Sequence, residues 1–373
     1  MTHPLKILHI PTDTALGGTE RRFADFIAAS NPEHFRHAVL TLKPVGVVGE
    51  GLARAGFEVE SLNLSRARAA VGAPALLKAI RQYKPDIVQT YLFGGNTAGR
   101  PAARLAGVPV VVSGYASTDP WMRPHHIAAD MTSAKFATAH LANAEAVADS
   151  VVRRCKVPRA SIEVVHTGRP IPDTPARHAA RPDGTVVGIA AGRVHRAKGY
   201  DVLIEALAQA DSRIRIKVAG SGPIVHGGLS AIQELEDAAE RAGVADRIEF
   251  LGVRDDINAL MAEGDFHVLP SRWEGLPGVL IEAMAMGLPS VASAVGGVSE
   301  ALVDSKTGFL TEPGDPTSLA DGLNRIATAD RATLGEAARL RAIESFSVDA
   351  MTHRWENFYR RLARLAHLEG PGL

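Results

Sequence analysis

Short apolar segments alternate with amphipathic segments along almost the whole chain, and this alternation limits the possible folds more than any other feature. The apolar segments are rich in β-branched residues and are apolar on both faces, as in strands that helices cover on both sides. Helix-period segments such as TERRFADFIAAS and SLADGLNRIATA separate them. The pattern predicts a doubly wound α/β fold with parallel sheets. The predicted strands are KILHIP, HAVLTL, EVESLNL, DIVQTY, VPVVVSG, TVVGIA, IRIKVAG, IEFLG, FHVLP and PSVAS.

The length of 373 residues favours two domains, and the sequence indicates where they meet. Residues 166–184 (HTGRPIPDTPARHAARPDG) contain four prolines and no hydrophobic period, which predicts a linker. We therefore predict an N-terminal Rossmann-like domain over residues 1–170 and a C-terminal domain over residues 171–345. Residues 346–373 are predicted to form a helix that packs back on the N-terminal domain.

Charge and cysteine content exclude several classes of protein. The formal net charge is zero, which argues against a nucleic-acid partner, but residues 1–180 hold 21 Lys and Arg against 14 Asp and Glu, and the remainder carries the opposite excess. The single cysteine, Cys155, excludes an internal disulfide and a cysteine-based metal site. Without a signal-peptide core or a long apolar run, we expect a cytoplasmic protein with no transmembrane helix.

The stretch SRWEGLPGVLIEAMAMG (residues 271–287) places two glutamates, Glu274 and Glu282, around the start of a predicted helix. If that helix begins near Pro277, Glu274 lies in the loop after a strand and Glu282 lies inside the helix. Ligands of doubly wound sheets bind at the carboxyl ends of strands. Carboxylates there accept hydrogen bonds from vicinal hydroxyls, and free N–H groups of the first turn suit an anion. A ligand that has both vicinal hydroxyls and an anionic group matches a sugar nucleotide.

With these residues the chain resembles the GT-B glycosyltransferases of family 4, a large retaining family. Its E-x7-E element matches Glu274 to Glu282, and the segment AMAMGLPSVASAVGGVSEALVDSKTGFL continues the pattern, with Met286 where cysteine is common. The segments GRVHRAKGYDVLIEAL and LGGTERRF match the family's basic and glycine-rich motifs. ANAEAVADSVV and VVHTGRPIPD stand where the family has its end-of-domain strands. The resemblance covers nearly the whole chain and implies two Rossmann-like domains with a cleft between them.

The resemblance also implies roles for the catalytic and donor-binding residues. Arg193 and Lys198 would hold the donor diphosphate, whose negative charge grows in the transition state. Glu274 would hold hydroxyls of the transferred sugar, and Glu282 would bind the ribose hydroxyls. The donor is expected to be a UDP- or GDP-linked sugar, bound as a substrate, with no cofactor.

Further positions are expected near the donor. Backbone N–H groups of Leu276 and Gly278 would reach it, whereas Pro277 between them cannot donate. Gly17 and Gly18 would allow close approach to the phosphates, and the backbone near Val253 would face the base. The segment VAGSGP (residues 218–223) lacks the third glycine of a dinucleotide fingerprint, so no NAD site is expected.

The acceptor side departs from the family pattern. Tyr115 follows the last strand of the first sheet, where relatives often carry histidine or another polar residue, so Tyr115 either bonds a substrate or packs. Gln89 and Tyr91 stand where His-x-His is frequent. His125 and His126 either line the acceptor cleft or lie on the surface. No D-x-D sequence occurs, so no metal is expected.

The resulting prediction is a retaining, metal-independent transfer of a sugar to a saccharide, lipid-linked or small-molecule acceptor. A front-face substitution is the mechanism that the resemblance implies. A GT-B epimerase, a phosphorylase and a non-catalytic sugar-nucleotide binding protein remain as alternatives. The basic N-terminal domain suits an anionic acceptor, with peripheral contact at the inner membrane face as an alternative to a soluble acceptor. Its basic residues include Arg66, Arg68, Lys78, Arg81, Lys84, Arg153, Arg154, Lys156 and Arg159.

Overall fold

The computed structural model describes residues 3–64, 69–176, 181–222 and 231–368, and the chain divides into two compact α/β units. Unit 1 takes the residues up to Gly168 and also those from Val348 onward, whereas unit 2 spans Arg169–Ser347. Each unit is built on one sheet, and all strand pairs are parallel. The prediction of two doubly wound parallel sheets is confirmed.

Unit 1 holds a seven-stranded sheet in the order β3-β2-β1-β4-β5-β6-β7. Its central strands are buried along their whole length, which explains why they read as continuous apolar runs. The strands are β1 (Leu5–Ile10), β2 (Phe35–Thr41), β3 (Glu58–Ser61), β4 (Ile87–Tyr91), β5 (Val110–Tyr115), β6 (Ala139–Ala142) and β7 (Ile162–Val164). The helices are α1 (Gly18–Ala29), α2 (Val47–Arg54), α3 (Ala69–Tyr83), α4 (Leu92–Leu105), α5 (Pro124–Ala134) and α6 (Glu145–Cys155).

Unit 2 holds a six-stranded sheet in the order β10-β9-β8-β11-β12-β13. Its strands are β8 (Val186–Ala191), β9 (Ile214–Ala219), β10 (Ile248–Gly252), β11 (Phe266–Leu269), β12 (Ser290–Ser293) and β13 (Gly308–Thr311). Its helices are α7 (Tyr200–Leu207), α8 (Ala231–Arg241), α9 (Ile257–Ala262), α10 (Gly278–Ala285), α11 (Val298–Ala301), α12 (Pro316–Thr328) and α13 (Arg331–Phe346).

The last helix, α14 (Val348–Leu365), packs in unit 1. Its apolar residues recur at helical spacing, and the Trp355 side chain is fully buried. The Trp355 ring stacks on Phe26 of α1 with ring centroids 4.3 Å apart, and the Arg22 guanidinium lies 4.5 Å from the Trp355 ring centre. Unit 1 is therefore assembled from two separate parts of the sequence.

The predicted linker is packed in part, which corrects the interpretation of residues 166–184. The N–H of Ala176 donates to the carbonyl of Met286 at 2.7 Å, and Arg339 donates to the carbonyl of Pro172 at 2.6 Å. The segment up to Ala176 is thus held on unit 2, and residues 177–180 lie outside the described residues.

The two predicted end-of-domain strands were placed too late in the sequence. Strand β6 ends at Ala142, so ANAEAVADSVV is mostly helix α6, and β7 ends at Val164, so VVHTGRPIPD is mostly its exit. Both segments still follow the last two strands of the sheet, β6 and the edge strand β7, so the predictions were wrong about which residues form the strands.

Candidate functional site

Two of the predicted catalytic residues touch at the carboxyl edge of the unit 2 sheet. Strands β8 and β11 are neighbours and parallel, so the loops that follow them lie side by side. Lys198, after β8, donates from Nζ to Oε1 of Glu274, after β11, at 2.6 Å. Ser271 Oγ donates to the same oxygen at 2.7 Å. Both charged side chains are mostly buried, at 20% and 13% exposure, so the pair is shielded from solvent.

A glycine allows the two loops to approach. Gly199 has a φ of +65°, and a Cβ there would lie 2.0 Å from the carbonyl oxygen of Pro270. Any larger residue would force the loop of Lys198 away from the β11 exit, so glycine at this position sets the distance between Lys198 and Glu274.

Arg272, which the sequence analysis missed, ties the same loops together. Its N–H donates to the carbonyl of Ala197 at 2.7 Å, and its guanidinium binds both carboxylate oxygens of Asp201 at 2.6 and 2.7 Å. Burial alone would raise the pKa of Asp201, but Arg272 lowers it below its ordinary value. The arginine lies two residues before the loop glutamate, and that adjacency was the available sequence signal.

A third loop, after β12, packs against the backbone of the Glu274 loop. Gly296, after β12, has a φ of +52°, and a Cβ there would lie 2.2 Å from the carbonyl oxygen of Glu274. The N–H of Gly297 donates to the carbonyl of Gly275 at 2.6 Å. The glycine pair in AVGGVSE therefore fixes the backbone of the glutamate loop, a role that its place in the family pattern did not reveal.

Glu282 lies one turn inside helix α10 and is paired with an arginine. The helix begins at Gly278 with Pro277 as its N-cap, one position earlier than the first-turn place expected for this proline. The Glu282 carboxylate and Arg169 Nε are 3.0 Å apart, and the Arg169 side chain is 4% exposed. Arg169 belongs to the predicted linker and had not been assigned to the site.

The remaining predicted donor residues lie at the same edge of the sheet. Arg193 is exposed and lies on the β8 exit with Lys198. The Leu276 side chain is buried, so only its backbone is suited to meet a ligand. Val253 follows β10 with 66% exposure. The structure brings these positions to one edge, and their roles stay predictions.

Buried neutral groups lie beneath the Lys198–Glu274 pair. His267, within β11, is fully buried, and burial together with the charge of Lys198 lowers its pKa to about 3. Burial and the neighbouring Glu274 raise the pKa of Tyr200 well above its ordinary value. Both side chains are uncharged at neutral pH, so neither adds a charge beside the ion pair.

In unit 1, the predicted glycine loop leads into helix α1. Gly17 is the N-cap and Gly18 is the first helical residue. A Cβ on Gly17 would lie 2.2 Å from Oε2 of Glu20, whereas a Cβ on Gly18 would meet nothing within 4 Å. The carboxylate end of the Glu20 side chain therefore lies beside Gly17, and its negative charge lies where a phosphate was expected.

The structure does not support the acceptor role of Tyr115. Its side chain is 4% exposed, and its hydroxyl lies 3.4 Å from Oδ1 of Asp130 and 3.6 Å from Cys155 Sγ. Asp130 also accepts from Arg100 at 2.7 Å and from Arg154 at 3.1 Å. We call these five residues the buried ion cluster. Tyr115 packs within it, which was the alternative left open by the sequence.

His125 and His126 lie at the start of helix α5 and are accessible. Their Nε2 atoms are 3.2 Å apart, and the His126 ring meets those of Phe93 and Trp121 edge-on, with both centroid distances 5.2 Å. Trp121 is 51% exposed. The pair belongs to a surface group of aromatic and imidazole rings, and its role stays a prediction.

Two further properties concern metals and membranes. Within residues 3–64, 69–176, 181–222 and 231–368, no three His, Cys, Asp or Glu side chains are placed to hold a metal ion. In the same ranges, no helix has both the length and the apolar character needed to cross a bilayer.

Comparisons with known proteins relate both halves of the chain to glycosyltransferases. A family model described as Glycosyltransferase Family 4 matches residues 16–171, and one described as Glycosyl transferases group 1 matches residues 185–329.

The chain belongs to glycosyltransferase family 4. A relative of this family 4 chain, the D-inositol 3-phosphate glycosyltransferase of Streptomyces avermitilis, is 29% identical over 302 residues, which cover 74% of the chain and 65% of that protein. The N-acetyl-alpha-D-glucosaminyl L-malate synthase of Bacillus anthracis is 30% identical over 173 residues, which cover 45% of the chain and 44% of that protein. The family 4 chain thus spans less than two thirds of the length of these relatives.

A solved structure gives the fold of the family 4 chain. HepE from Anabaena, crystallised in complex with UDP-glucose, matches with a TM-score of 0.83 and 22% identity, covering 96% of this chain and 100% of that one. The expected GT-B fold is confirmed.

Proposed function

We propose that this family 4 chain transfers a sugar from a nucleotide-sugar donor to an acceptor hydroxyl, with retention and without a metal ion. The contact of Lys198, Glu274 and Ser271 at the carboxyl ends of β8 and β11 carries the proposal. The contact joins a cation and a carboxylate on two adjacent loops, and the exposed Arg193 lies on the first of these loops, at the sheet edge where doubly wound folds bind ligands.

The cations would stabilise the leaving diphosphate. The Lys198 ammonium has three donors and gives one to Glu274, so two can reach phosphate oxygens. Arg193 adds a planar guanidinium that suits two phosphate oxygens at once. Their charges would take the part that a divalent metal has in other transferases, because the charge on the diphosphate grows as its bond to the sugar breaks.

The surroundings of Glu274 favour hydroxyl binding over nucleophilic attack. Oε1 already accepts from Lys198 and Ser271, whereas Oε2 makes no hydrogen bond to any described residue. A carboxylate stabilised in this way is a weak nucleophile but a good acceptor for a sugar hydroxyl. In the proposed front-face step, the bond from the anomeric carbon to the diphosphate oxygen breaks, the acceptor oxygen bonds to that carbon on the same face, and its proton passes to the leaving phosphate.

Donor binding is the first test. The melting temperature would be measured with UDP-, GDP-, ADP- and dTDP-sugars, starting with UDP-glucose because HepE was crystallised with it. A ligand at 100 times its Kd stabilises the folded state by about 2.7 kcal/mol, enough for a clear shift. If no nucleotide sugar shifts the midpoint, the proposal is wrong. Binding without turnover on a broad acceptor panel would favour a non-catalytic binding protein.

Substitutions at Lys198 separate catalysis from binding. Lys198→Ala should lower kcat by about 100-fold while changing the donor Kd much less, because the charge that it meets develops in the transition state. Lys217→Ala is the matched control, since Lys217 also pairs with a glutamate of unit 2, Glu263, but on the surface. Equal effects of the two substitutions would contradict the assignment.

Metal independence has its own test. Turnover, or slow hydrolysis of the donor, should persist after treatment with EDTA. Activity that disappears with EDTA and returns with Mn²⁺ would show that Arg193 and Lys198 do not replace a metal.

We propose an anionic acceptor, bound by unit 1. The excess of Lys and Arg over Asp and Glu in residues 1–180 supports this proposal. Two relatives carry inositol 3-phosphate and L-malate in their names, and both compounds are anions at neutral pH. The test is turnover with acceptor alcohols that differ only in a phosphate or carboxylate group. Equal rates with charged and neutral acceptors would contradict the proposal.

If the anionic acceptor is lipid-linked, we expect unit 1 to contact the inner face of the membrane. The structure narrows the basic residues available, because Arg154 belongs to the buried ion cluster and Arg159 pairs with Glu145, while Arg66 and Arg68 lie outside the described residues. Arg153 is exposed, so Arg153→Glu should weaken co-sedimentation with anionic liposomes at low salt. No sedimentation of the wild type at low salt would leave only a soluble acceptor.

A further inference from the structure

Arg169 is buried beside the candidate donor site, and none of the steps above uses it. Its guanidinium lies 3.0 Å from the carboxylate of Glu282, a residue of helix α10. Its backbone N–H donates to the carbonyl of Phe346 at 2.9 Å, and its backbone also bridges to Ser347. These backbone contacts would hold for any side chain at this position, so they do not explain why the buried residue is an arginine.

Gly278 shows that the space for this guanidinium is part of the helix start. A Cβ on Gly278 would lie 2.3 Å from Nη2 and 2.8 Å from Nε of Arg169. The guanidinium therefore occupies the volume that a side chain at the first helical residue would take. A cation at the amino end of a helix is opposed by the helix dipole, and Glu282 offsets that charge. Helix stability alone does not account for an arginine here.

We propose that Arg169 is a positioning residue: it holds the Glu282 carboxylate against the ribose of the donor and so determines the preference for ribonucleotides over deoxyribonucleotides. This inference rests on the proposed function. A glutamate side chain on a helix surface samples several rotamers, whereas a carboxylate bound to a rigid guanidinium keeps one direction. A carboxylate offers about four lone-pair positions, so one guanidinium leaves others for two vicinal hydroxyls.

The experiment compares nucleotides that differ by one ribose hydroxyl. Titration calorimetry would give the Kd of the full-length wild type and of Arg169→Gln for UDP and 2′-deoxy-UDP, and for GDP and 2′-deoxy-GDP if guanosine binds better. A hydrogen bond to a charged group contributes roughly a tenfold or greater preference, which the wild type should show. In Arg169→Gln the preference for the ribonucleotide over the 2′-deoxynucleotide should fall to about twofold. The Kd of the deoxynucleotide should change little, because this ligand lacks one of the two hydroxyls that Glu282 would bind.

A matched control separates positioning from loss of stability. Arg339 is also partly buried and also contacts helix α10, but at its far end, through the carbonyl of Ala285. Arg339→Gln should lower the melting temperature without changing the ribose preference. Arg169→Lys keeps the charge and should retain an intermediate preference, and it serves as the test variant if Arg169→Gln does not fold.

The outcomes distinguish this inference from the proposed function. If the wild type binds no nucleotide, the proposed function fails. If the wild type binds and prefers ribose, but Arg169→Gln keeps the full preference, the positioning role of Arg169 is refuted while the donor site stands. A loss of preference in Arg339→Gln as large as that in Arg169→Gln also overturns the inference, because it would show a general effect on helix α10.

Discussion

The buried ion cluster of unit 1 makes a strong prediction, because one carboxylate serves two arginines there. Asp130 accepts from Arg100 at 2.7 Å and from Arg154 at 3.1 Å, and the Arg100 and Asp130 side chains are at most 1% exposed. Asp130→Asn keeps the shape of the side chain but removes its charge, so both guanidinium groups lose their buried counter-ion. Breaking a buried pair by removing one partner costs about 3–5 kcal/mol.

The expected loss is large enough to measure without ambiguity. For a unit of this size, each kcal/mol lowers the melting temperature by about 2–4 °C, so Asp130→Asn should lower it by roughly 6–20 °C. Urea unfolding followed by tryptophan fluorescence is a suitable assay, because Trp355 is fully buried in unit 1. Burial alone would raise the pKa of Asp130, but Arg100 and Arg154 lower it below its ordinary value. The Asp130 carboxylate therefore stabilises the folded state except in strong acid, and the loss of stability in Asp130→Asn should be constant from pH 5 to 8.

Asp119→Asn is the control for this substitution. Asp119 lies 3.6 Å from the same Arg154, and without Asp119 this arginine still pairs with Asp130 at 3.1 Å, so the loss of Asp119 should cost clearly less stability than the loss of Asp130. Adding Arg100→Met to Asp130→Asn should restore part of the stability, because it removes the buried guanidinium that has lost its counter-ion. If Asp130→Asn costs no more than Asp119→Asn, the reasoning about the buried ion cluster is refuted.

Two further predictions concern acid stability and the Lys198 loop. Burial lowers the pKa of His37 to about 3, so protonation of this histidine favours the unfolded state. The contribution of neutral His37 to the free energy of unfolding is complete above the ordinary pKa of 6.5 and declines as the pH falls toward 3. Urea unfolding at pH 7 and pH 5 should show a loss of about 1–2 kcal/mol from this histidine, and this part of the difference should vanish in His37→Gln. Gly199→Ala should cost more stability than Gly243→Ala, since both glycines have a φ near +66°, but only at Gly199 would a Cβ meet a backbone atom. Gly199→Ala should also lower kcat by separating Lys198 from Glu274, and wild-type kinetics with this variant would contradict the proposed role of the contact.

The sequence predicted most strands of the two sheets at their correct positions, but not all of them. Long runs such as Val110–Tyr115 are rich in β-branched residues and buried on both faces, so their pattern is clear. Ala139–Ala142 and Ile162–Val164 were placed too late and Gly308–Thr311 was missed, because alanine and glycine have low strand propensity and a three-residue strand shows no period. These strands form through pairing with neighbours that local sequence does not reveal.

The site could be predicted only in part, for a related reason. Lys198 and Glu274 were identified by resemblance, but their contact, across 76 residues, depends on β8 and β11 being neighbours in the sheet. Arg169 lies in a proline-rich segment with no periodicity, so nothing nearby indicated that it was buried. Tyr115 ends a strand, as predicted, although this strand is followed by β6 and β7 and is not the last of the sheet. Where both faces of a sheet are buried, alternation cannot show which side chains reach a ligand.

The position of helix α14 in unit 1 has a consequence for how the protein is made. A ribosome completes the sequence up to Gly168 and then the whole of unit 2 before it reaches Trp355. During that interval, Phe26 lacks the indole ring that covers it in the finished protein, with centroids 4.3 Å apart. The apolar face of α1 is therefore exposed on the nascent chain while unit 2 emerges, and it is open to chaperones or to other nascent chains. Synthesis that stops before Val348 would yield a complete unit 2 sequence attached to a unit 1 that cannot close its core.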